Sequence, residues 1–171
     1  LIYSSNQDDL FQRQVGALHK KGDSLFIGTL SGLWVYSNKK YQHLGKENDL
    51  FYYRITEINS KGDYLVLGTR GAGLLLRRGS SVVQITEDDG LVSNSINNVV
   101  IKGDHIWVST NKGVSRIEIV DAATGQYRIF NLTRHNGLPS PETNDLVISG
   151  SMMYVATSDG LSCINLNKTG P

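Results

Sequence analysis

Three short anchors recur four times along this chain in a fixed order, and any fold must accommodate that repetition. Gly22-Asp23, Gly62-Asp63, Gly103-Asp104 and Gly150-Ser151 form the first set, at spacings of 40, 41 and 47 residues. Gly28-Thr29, Gly68-Thr69, Ser109-Thr110 and Ala156-Thr157 form the second, and Gly32-Leu33, Gly73-Leu74, Gly113-Val114 and Gly160-Leu161 the third. A period of about 40 to 50 residues is the length of one four-stranded β-propeller blade. The chain is therefore expected to be all-β, a propeller segment of four antiparallel blades at about 15–53, 54–95, 96–142 and 143–171. Residues 1–14 read as a lead-in and outer strand.

Each anchor has a mechanical role inside such a blade. In the third unit, Asn97 to Lys102 is an apolar, β-branched run that predicts a first strand, turned at Gly103-Asp104 into a second at His105 to Thr110. Asn111-Lys112-Gly113 links to Val114 to Ile119, and Tyr127 to Leu132 completes the meander. The first unit gives the same order: Val15 to Lys20, Ser24 to Thr29, Leu33 to Ser37 and Tyr41 to Leu44. Helical periodicity is nowhere sustained, and 18 glycines against 3 prolines suit a chain of many tight turns.

The small residue before each threonine is placed where neighbouring blades crowd together. Phe26, Val66, Trp107 and Tyr154 share one position on the second strand and read as blade-to-blade core rather than as a stacking platform for a ligand. The lone cysteine, Cys163, reads as a small buried strand residue without a disulfide partner.

The third unit carries a fuller pattern. Asp89-Gly90-Leu91-Val92-Ser93-Asn94-Ser95-Ile96, then Gly103-Asp104, His105-Ile106-Trp107-Val108-Ser109-Thr110 and Asn111-Lys112-Gly113-Val114 resemble the two-component regulator propeller repeat. Asn136-Gly137-Leu138-Pro139 with Ala156 to Leu161 is a looser copy, and the first two units keep the second strand while showing Asn48-Asp49-Leu50 where Asp-Gly-Leu is expected. The resemblance implies the periplasmic, extracytoplasmic sensor part of a membrane-anchored histidine kinase that responds to a glycan or its breakdown product. A propeller used as a protein-interaction platform is the alternative. The chain opens at Leu1 with no basic or apolar leader, so it is expected to be a piece of a longer protein.

Charge and motifs exclude other classes. The formal net charge is +1, and the basic pairs Lys20-Lys21, Lys39-Lys40 and Arg77-Arg78 form no nucleic-acid patch. His19, His43, His105 and His135 lack ligand spacing, so no metal is expected. No nucleophile elbow, cysteine–histidine pair or nucleotide loop appears. No cofactor and no catalysis are expected of this segment.

A meander sends its second-to-third links and its blade-to-blade links to one face. Tyr52, Tyr53, Arg70, Asn94, Lys112, His135 and Asp159 fall there, and flat rings, amides and a guanidinium suit an oligosaccharide. Besides that ligand, the expected partners are the remaining blades of the parent chain and a second copy. A closed ring of four demands about 90° per blade against about 45° in a ring of eight. An open array is thus expected to pair through its end faces, with Phe26 and Val35 at one end and Tyr154 and Ile164 at the other.

Overall fold

The computed structural model describes residues 14–121 and 126–168. Four antiparallel sheets follow one another along the chain. The first blade is β1 (Val15–Lys21), β2 (Ser24–Thr29), β3 (Gly32–Ser37) and β4 (Lys40–His43). The second is β5 (Ile55–Lys61), β6 (Tyr64–Thr69), β7 (Leu74–Arg78) and β8 (Ser81–Ile85). The third is β9 (Ile96–Lys102), β10 (His105–Thr110), β11 (Val114–Asp121) and β12 (Gln126–Leu132). The last has three strands among the described residues: β13 (Thr143–Ser149), β14 (Met152–Thr157) and β15 (Gly160–Asn165). The array is a four-bladed β-propeller assembly, with strands within a residue or two of the sequence expectation. The expected outer strand in 1–14 lies largely outside the described residues.

The anchors do what their chemistry allows. Gly22, Gly62, Gly103 and Gly150 each open a two-residue hairpin at φ of 54 to 58°, a region that costs glycine nothing. The threonines clamp the next link. Thr29, Thr69, Thr110 and Thr157 each donate from Oγ1 to the carbonyl of Gly32, Gly73, Gly113 or Gly160. Each also accepts the amide of Ser31, Ala72, Lys112 or Asp159. One hydroxyl thus satisfies a donor and an acceptor of the turn, and all four threonines are buried.

Blades meet through three apolar clusters, one per junction. The first joins Phe26, Leu33 and Val35 to Ile55, Ile58 and Leu67. The second joins Val66, Leu74 and Leu76 to Ile96, Val99 and Val108. The third joins Trp107 and Val114 to Leu146, Met153 and Val155. Crowding is real at the small positions: a Cβ on Gly28 or Gly68 would stand 2.9 Å from Ile55 or Ile96 of the next blade.

A lysine staple accompanies each junction. Lys21 Nζ donates to the Gly62 carbonyl at 2.9 Å, Lys61 to that of Gly103 and Lys102 to that of Gly150. Such exposed bonds are worth about 1 kcal/mol each, against about 1.5–3 kcal/mol for each buried leucine or valine. Packing therefore holds the blades together, and the lysines add one exposed bond at each junction. Asn59 Nδ2 to the Val99 carbonyl and Asn97 Nδ2 to the Thr143 carbonyl, both 2.8 Å, bridge the second and third junctions nearer the axis.

Two expectations are corrected. Phe26 and Val35 are buried in the first junction, so they are not at a free end, whereas half-buried Tyr154 does face outward from the last blade. Ile164 packs inward on the third cluster. Cys163 is exposed rather than buried, because no blade covers the outer side of β15 among the described residues.

Candidate functional site

The innermost strand of every blade begins with a bulge. Register slips between Val15 and Ala17, between Ile55 and Glu57, between Ile96 and Asn98 and between Thr143 and Asp145. The four extra residues are Gly16, Thr56, Asn97 and Asn144. A bulge re-aims the side chain it inserts, and here all four line one pocket of about 320 Å³, together with Arg54, Ile55 and Arg70. Because β5, β9 and β13 are fed by the blade-to-blade links, the pocket opens on the link face, where the inner strands converge.

Its lining is polar and cationic at the rim. Arg54 has no acidic partner among the described residues, where the ion pairs are Lys61–Asp104, Arg77–Glu47, Arg78–Asp63 and Lys112–Glu87. Arg70 makes only a 3.4 Å contact to Ser95 Oγ, while its amide is fixed on the Arg54 carbonyl at 2.9 Å. The Thr56 hydroxyl is out of water and has no hydrogen-bond partner among the described residues. One residue further along its strand, Glu57 has its carboxyl raised above the usual range, first by burial and then, against the Ile58 amide, by the charge of Asp145. The site therefore offers two guanidinium groups and two amide side chains to a polar ligand, with carboxylates beyond them.

The residues expected from sequence are dispersed around this face. Arg70 lines the pocket. Tyr52 is exposed and stacks on His43 with ring centroids 5.0 Å apart, and Tyr53 is exposed beside Gly71. Asn94 and Lys112 converge on Glu87: Asn94 Oδ1 accepts the Glu87 amide at 2.8 Å and Lys112 Nζ lies 3.0 Å from Glu87 Oε2. His135 is exposed in the short turn Arg134–Asn136, and Asp159 is exposed in the link before β15. Sequence reasoning missed Arg54, Thr56, Asn97 and Asn144 as a set. For Thr56, Asn97 and Asn144 the signal was columnar, since each is the second residue of its first strand and stands six residues before the hairpin glycine, whereas Arg54 precedes its strand and shares no such column. Among the described residues no three histidine, cysteine, aspartate or glutamate side chains gather as a metal site.

The third blade's lead-in is electrostatically fixed. Thr86 and Asp89 form a reciprocal cap around the turn Glu87–Asp89, and Gly90 closes it at φ 107°. The Thr86 amide holds the Asp89 carboxyl below its usual range, and the Asn94 amide followed by Lys112 does the same for Glu87. Burial, and then Asp89, pushes the Tyr127 hydroxyl up to about 12. Because both carboxyl values are depressed on folding, their stabilisation is complete above the unfolded value near about 4 and is lost as pH falls through the folded values. Asp89→Asn is expected to flatten the acid limb of a melting-temperature profile below about pH 4, while leaving the profile between neutral pH and that point unchanged in shape.

No family model matches the chain, and no curated protein matches it. Solved structures do. The designed protein Ika4 aligns with a TM-score of 0.63 and 16% identity, over 91% of this chain and 92% of its own. The designed protein Ika8 aligns with a TM-score of 0.61 and 15% identity, over 87% of this chain and 45% of its own. The extracellular domain of the hybrid two-component system protein BT4673 from B. thetaiotaomicron aligns with a TM-score of 0.67 and 21% identity, over 94% of this chain and 20% of its own. The chain thus spans a fifth of that extracellular domain and less than half of Ika8.

Proposed function

We propose that this chain is the ligand-receiving part of an extracytoplasmic sensor propeller, and that it takes a glycan carrying an acidic group at the axial pocket. The observation that carries the reading is the convergence of four bulged residues with Arg54 and Arg70 on one polar opening. Amides suit sugar hydroxyls, and a guanidinium without an acidic partner among the described residues suits a carboxylate. The extracellular domain of the two-component protein BT4673 lends the reading its context, since an array of this shape recurs in it. No helix of the described residues is long and apolar enough to cross a membrane, and a signal would leave through the parent chain.

A second reading has its own observation. Leu30, Tyr52 and Tyr53 are exposed together on the link face around the first-to-second blade connection, and exposed aromatics of that kind favour protein contacts. It makes the chain an interaction platform without a small ligand.

Calorimetric titration with neutral and uronate-containing oligosaccharides separates the two. Arg70→Ala is expected to weaken binding of the acidic sugar by about tenfold to a hundredfold, the worth of a charge-assisted hydrogen bond. Thermal stability should stay nearly unchanged, because Arg70 is exposed. Binding that ignores Arg54, Arg70, Asn97 and Asn144 but falls with Tyr52→Ala would transfer the site to the outer patch.

A further inference from the structure

The two ends of the array are unlike the three junctions inside it. At the first blade, Leu18 is 62% exposed and Val15 is exposed, although their repeat counterparts Ile58, Val99 and Leu146, and Ile55, Ile96 and Thr143, are all buried. At the last blade, Leu161 is 66% exposed, although its counterparts Leu33, Leu74 and Val114 are fully buried. Leu161, Val147, Tyr154 and Ala156 line a shallow groove of about 100 Å³ on that outer surface. Half of the exposed large apolar residues, Val15, Leu18, Val147 and Leu161, sit on these two ends.

The surfaces are complementary because of the repeat. Every internal junction joins the outward side of one blade to the inward side of the next, so the outward side of the fourth blade is built to receive the inward side of a blade such as the first. The array size points the same way: the chain spans almost all of Ika4 and 45% of Ika8, so an arc of this length stands as one protein and recurs as nearly half of another.

We infer that the two end faces dock a second copy of this chain, head to tail, closing a two-fold ring of eight blades. Both junctions of that ring repeat the apolar packing of the internal series without its lysine staple, whose place Ser149 takes, and the turn per blade falls from about 90° to about 45°. Face-to-face pairing would instead set two outward sides together, which no internal junction does.

Light scattering over a concentration series tests this, with the expected mass rising to twice that of the chain and no further. Leu18→Glu and Leu161→Lys alter side chains that are mostly exposed, so each leaves the single array folded, and each is expected to weaken association by about tenfold or more. Mixing the two variants should restore the dimer, since one junction then pairs Glu with Lys and the other keeps both leucines. Thiol modification of Cys163, exposed on the same outer side, should slow as the dimer forms. A single-chain mass at every concentration with constant Cys163 reactivity overturns the inference. So does a dimer sensitive to only one of the two substitutions, or growth beyond two copies.

Discussion

Replacing Gly32 with alanine is expected to cost about 3 kcal/mol or more of stability, and the same change at Gly160 only about half as much. The two glycines occupy the same repeat position with nearly the same backbone, φ 122° and 128°. Both therefore pay the strain of an L-residue in a region glycine alone visits freely. They differ in what the new methyl group meets. At Gly32 it would lie 2.0 Å from the carbonyl oxygen of Phe51, which is backbone in a buried part of the first junction. At Gly160 nothing described stands within 4 Å. The difference between the two losses, read from urea unfolding midpoints, isolates the steric part from the conformational part. Equal losses would mean that the link moves aside at Gly32 and that conformation alone accounts for the repeat.

The second large effect belongs to the threonine clamp. Thr110→Val keeps shape and removes the hydroxyl, leaving the Gly113 carbonyl and the Lys112 amide without their side-chain partner. The Gly113 carbonyl still accepts the Thr110 amide at 2.9 Å and the Thr143 hydroxyl at 3.0 Å, so the loss is that of an under-satisfied rather than an abandoned group. A cost of about 1–3 kcal/mol is expected. At Thr157, whose link is more open to water, the same substitution should cost less, because solvent replaces what the hydroxyl supplied. Chemical denaturation of the two valine variants measures both. A larger loss at Thr157 than at Thr110 would show that the clamp matters through strand propensity rather than through its hydrogen bonds.

The repeat made most of the fold legible because glycine and threonine are used for what only they do at these places: a positive φ, or a hydroxyl that serves two backbone groups at once. Strand order and turn positions followed. The direction in which each side chain faces did not follow so easily. Alternation along β2 groups Phe26 with Gly28 on one side, but a period of two carries no sign, so it cannot say whether that side meets the preceding blade or the following one. Phe26 and Val35 were assigned to the wrong neighbour for that reason. The pocket was hidden for a different one. A bulge adds a single residue to a strand, and Thr56 or Asn144 carries no side-chain signature of having been added. Only Arg70, which belongs to a link whose face the topology dictates, could be placed in advance. Asn94 shows the converse: its amide looks like a ligand contact in sequence, and in the structure it braces Glu87.

The staples point one way along the chain. Lys21, Lys61, Lys102, Asn59 and Asn97 are all donors in an earlier blade, and their acceptors at Gly62, Gly103, Gly150, Val99 and Thr143 all belong to the blade after it. On a ribosome the polypeptide emerges in that same order, at about 5–20 residues per second. A blade of some forty residues is therefore exposed for seconds before its fastening arrives. Over that interval its lysines and amides remain hydrated and uncommitted, and each newly synthesised blade secures the one made before it. The fourth blade has Ser149 in the place of that lysine, so the fastening that each earlier blade extends forward has no lysine to carry it there.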